Sequence, residues 1–172
     1  MWLAIDGYNL IAALTGEALG RLDLEAEREQ LLELLADYRA LSKHRLSVVF
    51  DGGARATGES RRERFRGVEV IFSQLGRNAD QLLVEMARRY GSGLTVVTED
   101  REVILSCERF GAVTLASGEF WQRLLLVVMG EDEGLEEEGV RSGGGRHLTR
   151  KKGNPKKRGR KERRRSRRLD SL

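Results

Sequence analysis

The stretch LAIDGYNLI, residues 3–11, opens with an apolar run, Leu3 to Ile5, that stops at Asp6 and passes at once into Gly7, Tyr8 and Asn9. An acid in that place either caps a turn or is held out for chemistry, and one instance does not decide between the two. The arrangement recurs. LSVVF (46–50) is followed by Asp51, and LTVVT (94–98) by Glu99 and Asp100. VEVIF (68–72) and VTLA (113–116) complete a set of five short β-branched runs. Four of them are near-continuously apolar, as strands covered on both faces are.

Helical patterns fill the intervals. DLEAEREQLLELLADYRALSKH (23–44) sets Leu31, Leu34, Leu35, Tyr38 and Leu41 on one stripe, with acids early and bases late to suit the helix dipole. NADQLLVEMARRYG (78–91) spaces Ala79, Leu82, Leu83, Met86, Ala87 and Tyr90 in the same way, with Asn78 and Gln81 placed as a capping box and Gly91 as a stop. DREVILSCERFG (100–111) repeats the design, and SGEFWQRLLLVVM (117–129) reads as a last helix whose apolar second half could also be a strand. Strands alternating with helices predict an α/β fold with a mostly parallel central sheet and helices on both faces.

The formal charge of +4 conceals a division. From Arg141 onward there are 15 Lys plus Arg against 2 acids, leaving 16 bases and 25 acids before it. The body is acidic and the tail strongly basic, which points to a polyanionic partner, most often nucleic acid. The expected organisation is one folded domain over residues 1–129, an acidic and glycine-rich linker over 130–145, and a basic low-complexity tail over 146–172 that buries nothing and stays disordered. Cys107 is the only cysteine, so no internal disulfide can form. LLLVVM (124–129) falls far short of the ~20 residues a membrane span needs. The start of the chain lacks a basic n-region, and the expected place is the cytoplasm, with no membrane partner.

In a parallel sheet the carboxyl ends of the strands share one edge, where open α/β folds place their ligands. Asp6, Asp51 and Asp100 follow strands, and Asp80 lies in the first turn of a helix, so four sequence-distant carboxylates are expected on one rim. Each has an ordinary reading alone: a turn at Asp51-Gly52-Gly53, an N-cap at Asp100, first-turn helix chemistry at Asp80. Gathered together, they would repel one another, and a hard divalent cation, Mg²⁺ or Mn²⁺, would relieve that repulsion. Such a site can activate water and stabilise the leaving oxygen of a phosphodiester.

LAIDGYNLI, VVFDGG (48–53), VEVIFS (68–73) followed by NAD (78–80), and VVTEDR (96–101), in this order and spacing, resemble the NYN domains of the YacP type. The resemblance covers about residues 2–125. It implies a PIN-like three-layer α/β/α fold and a metal-dependent ribonuclease, in a family that includes a ribosome-associated endoribonuclease cutting mRNA. It further implies Asp6, Asp80 and Asp100 as the catalytic, metal-binding acids. Asn9 would support the first of them, Asp51 would be an additional rim carboxylate, and Thr98 and Arg101 would match a hydroxyl and a base beside the last acid. Two positions depart. Gln81 stands where the family often has a further acid, and Glu99 where a small polar residue is common, which leaves open one metal or two, and whether Glu99 compensates.

GGARATGESRRERFRG (52–67) reads as a loop or short helix carrying Arg55, Arg61, Arg62, Arg64 and Arg66 around Phe65. Its arginines, with Arg77 and Arg101, are candidates to grip RNA phosphates, while Phe65 either stacks on a base or packs into the core. The tail would bind RNA phosphates without sequence preference, on ribosomal RNA or a long transcript. The sequence therefore predicts an endonuclease for single-stranded RNA. The alternative is a non-catalytic RNA- or ribosome-binding protein, which Gln81 favours. A phosphatase of the haloacid dehalogenase kind would need an acid two residues after its nucleophile, where this chain has Tyr8.

Overall fold

The computed structural model describes residues 1–16, 23–52 and 60–130. The linker beyond Gly130, the basic tail and Arg55 lie outside the described residues.

Along the chain run β1 (Trp2–Asp6), α1 (Gly7–Thr15), α2 (Leu24–Ser42), β2 (Arg45–Phe50), β3 (Arg61–Phe65), β4 (Val68–Phe72), α3 (Ala79–Tyr90), β5 (Leu94–Val97), α4 (Arg101–Arg109), β6 (Val113–Leu115) and α5 (Ser117–Met129). The five apolar runs are all strands. They pair in parallel in the order β4-β2-β1-β5-β6, and β3 is added antiparallel on the outside of β4.

Alternation along the strands divides the interior in two. Leu3, Ile5, Leu46, Val48 and Phe50 pack on one face against α1, α2 and α5, through residues such as Leu10, Leu35, Tyr38 and Phe120. Ala4, Val49, Ile71, Leu94 and Val96 pack on the other against Leu83 and Ala87 of α3 and Val103 and Cys107 of α4. The architecture is the expected three-layer α/β/α arrangement. Burial pushes the Cys107 thiol up to about 12, so at neutral pH it is a small apolar core residue rather than a nucleophile.

Three local readings are resolved or corrected. Residues 61–65 are a strand, not a loop or short helix, and Phe65 packs against the core rather than offering a ring to solvent. Residues 117–129 are helical throughout. Leu41, placed by spacing on the buried stripe of α2, is 59% exposed, since the buried residues of that helix end at Tyr38. Among the described residues no helix is long and apolar enough to cross a membrane.

From β1 the chain moves outward through β2 to β4, then returns through α3 to β5 on the other side of β1. The strand order therefore reverses between β1 and β5, and their carboxyl ends flank the crevice where doubly wound folds bind ligands.

Candidate active site

Asp6 ends β1 at this switch point and is almost fully buried, with 4% of its surface exposed. It is the N-cap of α1: one carboxylate oxygen accepts the Asn9 backbone N–H at 3.1 Å, and the other accepts the Asn9 side-chain amide at 2.5 Å. Across the crevice the buried Thr98 hydroxyl donates to that second oxygen at 3.4 Å and accepts the Asp100 backbone N–H at 3.1 Å. One hydroxyl thus links the acid after β1 to the acid after β5. Asp100 in turn caps α4, its Oδ1 accepting from the Glu102 and Val103 amides at 2.7 and 3.0 Å.

Asp51 accepts the backbone N–H of Ala79 at 2.6 Å, tying the first turn of α3 to the end of β2. Asp80 follows in that turn, half-buried, with the Asn78 amide 3.5 Å from its Oδ2. Two of the four rim acids are therefore also helix caps. Asp6 and Asp100 each close a helix that starts where its strand stops, and helix N-termini are where a parallel fold can keep carboxylates ordered. Glu99 turns to α5, accepting from the Gly118 amide at 3.1 Å. Gln81 completes the capping box with Asn78.

The charges of the rim act on one another. Burial, reinforced by Asp51, holds the Asp6 carboxyl above the usual range, against the lowering effect of its bonds to Asn9 and Thr98. Asp80 is raised too, first by burial and then by the negative charges of Asp6, Asp100, Asp51 and Glu102. A carboxyl raised in the fold binds more protons there than in the unfolded chain, so its ionisation costs stability as pH climbs from the unfolded value through the folded one. Asp80→Asn should therefore raise the melting temperature at neutral pH. The gain should shrink below the ordinary carboxylate range, where both states are protonated; a melting series across pH checks both halves.

Among the described residues no three carboxylates, histidines or cysteines converge into a preformed metal cage. The donors present are hard carboxylate oxygens, close enough that the negative charge of neighbouring acids helps to raise Asp6 and Asp80. That set suits Mg²⁺ or Mn²⁺, which is commonly held by one or two carboxylates, water and the substrate's own phosphates.

Asp80 and Asp100 both line a groove of about 780 Å³ between α3 and α4. Arg77 and Arg88 stand on its α3 side and Phe110, 44% exposed, lies at the end of α4. Arg88 is not among the candidates the sequence singles out, although Asp80, Val84 and Arg88 follow one another at a spacing of four and so share a helix stripe. Of the arginines singled out from sequence, Arg77 joins the groove and Arg101, exposed, begins α4. Arg61 and Arg62 part company, as neighbours on a strand must. Arg61 lies over the Phe72 ring at 4.8 Å on the α2 side, whereas Arg62 pairs with Glu69 at 3.1 Å and lines a hollow on the α3 side.

The family model of the YacP-like NYN domain matches residues 3–165. The chain belongs to the YacP-like NYN domain family, and NYN domains are PIN-like nucleases. It is similar to the protein YacP of Bacillus subtilis (strain 168), with 31% identity over 87 residues, 50% of this chain and 51% of that one. The match thus spans about half the length of that relative. Crystal structures of Rae1 (YacP) from Bacillus subtilis share the fold. A point mutant superposes with a TM-score of 0.60 at 25% identity, over 75% of this chain and 77% of that one. A second structure gives 0.60 at 24% identity, over 76% and 77%. Family and fold together place the chain in the PIN-like nuclease class.

Proposed function

We propose that the chain is a metal-dependent endoribonuclease that cuts single-stranded RNA, with messenger RNA on the ribosome as its cellular substrate. The observation that carries this reading is the hydrogen-bonded line Asp6–Thr98–Asp100 across the switch point, with Asp80 close enough to feel both charges. Asp6, Asp80 and Asp100 are the residues that would hold Mg²⁺ or Mn²⁺, which when bound there supplies Lewis-acid chemistry to phosphodiester hydrolysis. The chain's own groups orient the rest. Asn9 and Thr98 fix both oxygens of Asp6, so the carboxylate need not reorganise as charge develops. Asp51 anchors the turn that carries Asp80. Arg77 and Arg88, along the groove, are suited to phosphates approaching an otherwise acidic edge.

The basic tail supplies sequence-independent attachment to ribosomal RNA or to the transcript, and the lone buried Cys107 suits a cytoplasmic place. Gln81, engaged in capping rather than adding a charge, keeps a non-catalytic RNA-binding protein as the competing reading.

A circular single-stranded RNA distinguishes the possibilities, because only an endonuclease can linearise it. Cleavage of the circle but not of a duplex is the expected result. Binding without cleavage, both on free RNA and on translating ribosomes, would favour the competing reading.

A further inference from the structure

On the other flank of α3, between that helix and the outer strands, lies a second hollow of about 180 Å³. Four arginines line it, Arg45, Arg62, Arg77 and Arg89, in a body whose first 140 residues carry a net negative charge. The guanidiniums are held in place rather than loose. Arg45 places its guanidinium carbon over the Trp2 ring, 3.7 Å from its centre, and Trp2 is itself fixed by its indole N–H donating to Ser47 at 2.9 Å. Glu69 accepts from Ser47 at 2.6 Å and ion-pairs with Arg62 at 3.1 Å and with Arg45 at 3.7 Å. Arg77 pairs with Glu85 at 2.9 Å. Among the described residues, two acids thus orient three of the four cations and leave an excess of positive charge around the hollow. The side chains of Arg45 and Arg62 remain 60% and 62% exposed, so their outer N–H groups face solvent.

Stacking an arginine on an aromatic face fixes its plane and presents its N–H fork for bidentate bonding to an oxyanion. The volume lies below the roughly 300–1,000 Å³ of pockets that engulf a small molecule, which suits a surface-bound phosphate better than an enclosed metabolite. Arg77 and Glu85 line both this hollow and the groove holding Asp80 and Asp100, so the two are contiguous around α3. Tyr90, 39% exposed and edge-on to Trp2 at 4.3 Å, adds an aromatic surface at the far end.

We propose that this arginine hollow binds a backbone phosphate of the same RNA strand that is cut at the carboxylate rim, so that the strand wraps the outer face of α3. The assignment rests on the nuclease reading for the identity of the strand, but its test does not require cleavage. Binding of a labelled, unstructured uridine oligomer to the full chain is followed by fluorescence anisotropy in EDTA, across a salt series. Arg45→Ala and Arg89→Ala should each weaken binding about tenfold, the effect of one charge-assisted hydrogen bond. The slope of log affinity against log salt should become shallower by about one for each phosphate that is no longer neutralised. Arg109→Ala removes an equal charge from the last turn of α4, outside both hollows, and should change affinity by less than about twofold.

The tail is the same in every variant, so it cancels from these ratios. Equal losses in all three variants would reduce the hollow to diffuse attraction, and no loss at Arg45 or Arg89 would remove it from the strand's path; either overturns the proposal. Cleavage of the same oligomer with Mn²⁺ is scored separately. A chain that cuts neither the oligomer nor RNA on translating ribosomes, yet loses binding at Arg45 and Arg89 alone, would sink the nuclease reading and keep the site. A chain that cuts, with all affinities unchanged, would do the reverse.

Discussion

Asp6→Asn should reduce RNA cleavage at least about a hundredfold, since loss of even an outer-shell partner of a metal site commonly costs 10- to 100-fold and Asp6 would be a ligand itself. The fold should survive the change. Asparagine is nearly isosteric, its oxygen can still accept the Asn9 backbone N–H, and the Asn9 amide can turn over to accept from the new NH₂ group. Nor does it retain the negative charge that burial disfavours at Asp6. The variant should therefore melt no lower than the wild type and bind single-stranded RNA as tightly or more tightly, because a negative charge near the phosphates is gone. Rate, melting temperature and affinity measured together separate lost chemistry from lost structure.

The second large effect concerns packing beneath the site. A Cβ added at Gly7 would overlap the Phe50 ring. That ring is fully buried, edge-on to Tyr8 at 5.3 Å and stacked on Phe72 at 5.8 Å, so it has nowhere to retreat. Overpacking of this kind typically costs about 1–3 kcal/mol. Moving Phe50 also disturbs its neighbour Asp51, and through the bond to Ala79 the turn that carries Asp80. Gly7→Ala should thus lower both the melting temperature and the cleavage rate. Gly118→Ala, whose added Cβ meets only Glu99 at an ordinary 3.9 Å, should alter neither.

Burial explains what could be read from the sequence. β1, β2 and β5 sit inside the sheet with helices on both sides, and β6, at the edge opposite β3, is still buried along its whole length, so nearly every residue is apolar and the runs announce themselves. β3 lies on the edge, its first four residues are exposed, and Arg-Arg-Glu-Arg gives no alternation of apolar and polar. What makes it a strand is the partner. β4 offers its open edge, and Arg66 and Gly67, both at positive φ, close the two-residue hairpin. Arg66 then bonds to Glu33 and Asp37 of α2, contacts that no local pattern reveals. A loop would leave Arg61 and Arg62 as one basic group, whereas a strand sends the two neighbours to opposite faces.

The rim is legible because Asp6 and Asp100 stand where strands end, and chain order alone puts those ends together. Less visible is that capping and convergence are not rivals. Asp6 and Asp100 cap helices and meet through Thr98 at the same time, because β1 and β5 are each followed at once by a helix. The arginines of α3 are hidden for a different reason. Arg88 and Arg89 look like ordinary basic residues in a last helical turn, and only the packing of α4 on one flank and β4 on the other gives each a different hollow to line.

The measurement closest to the central claim is cleavage of a labelled single-stranded RNA by the purified full chain with Mn²⁺ or Mg²⁺, with EDTA, and with Asp80→Asn. The rim of acids around the β1–β5 crevice predicts cutting that requires the metal and is lost in the variant, while the variant still binds the RNA. Cutting that persists at the wild-type rate in Asp80→Asn would contradict the assignment of the site.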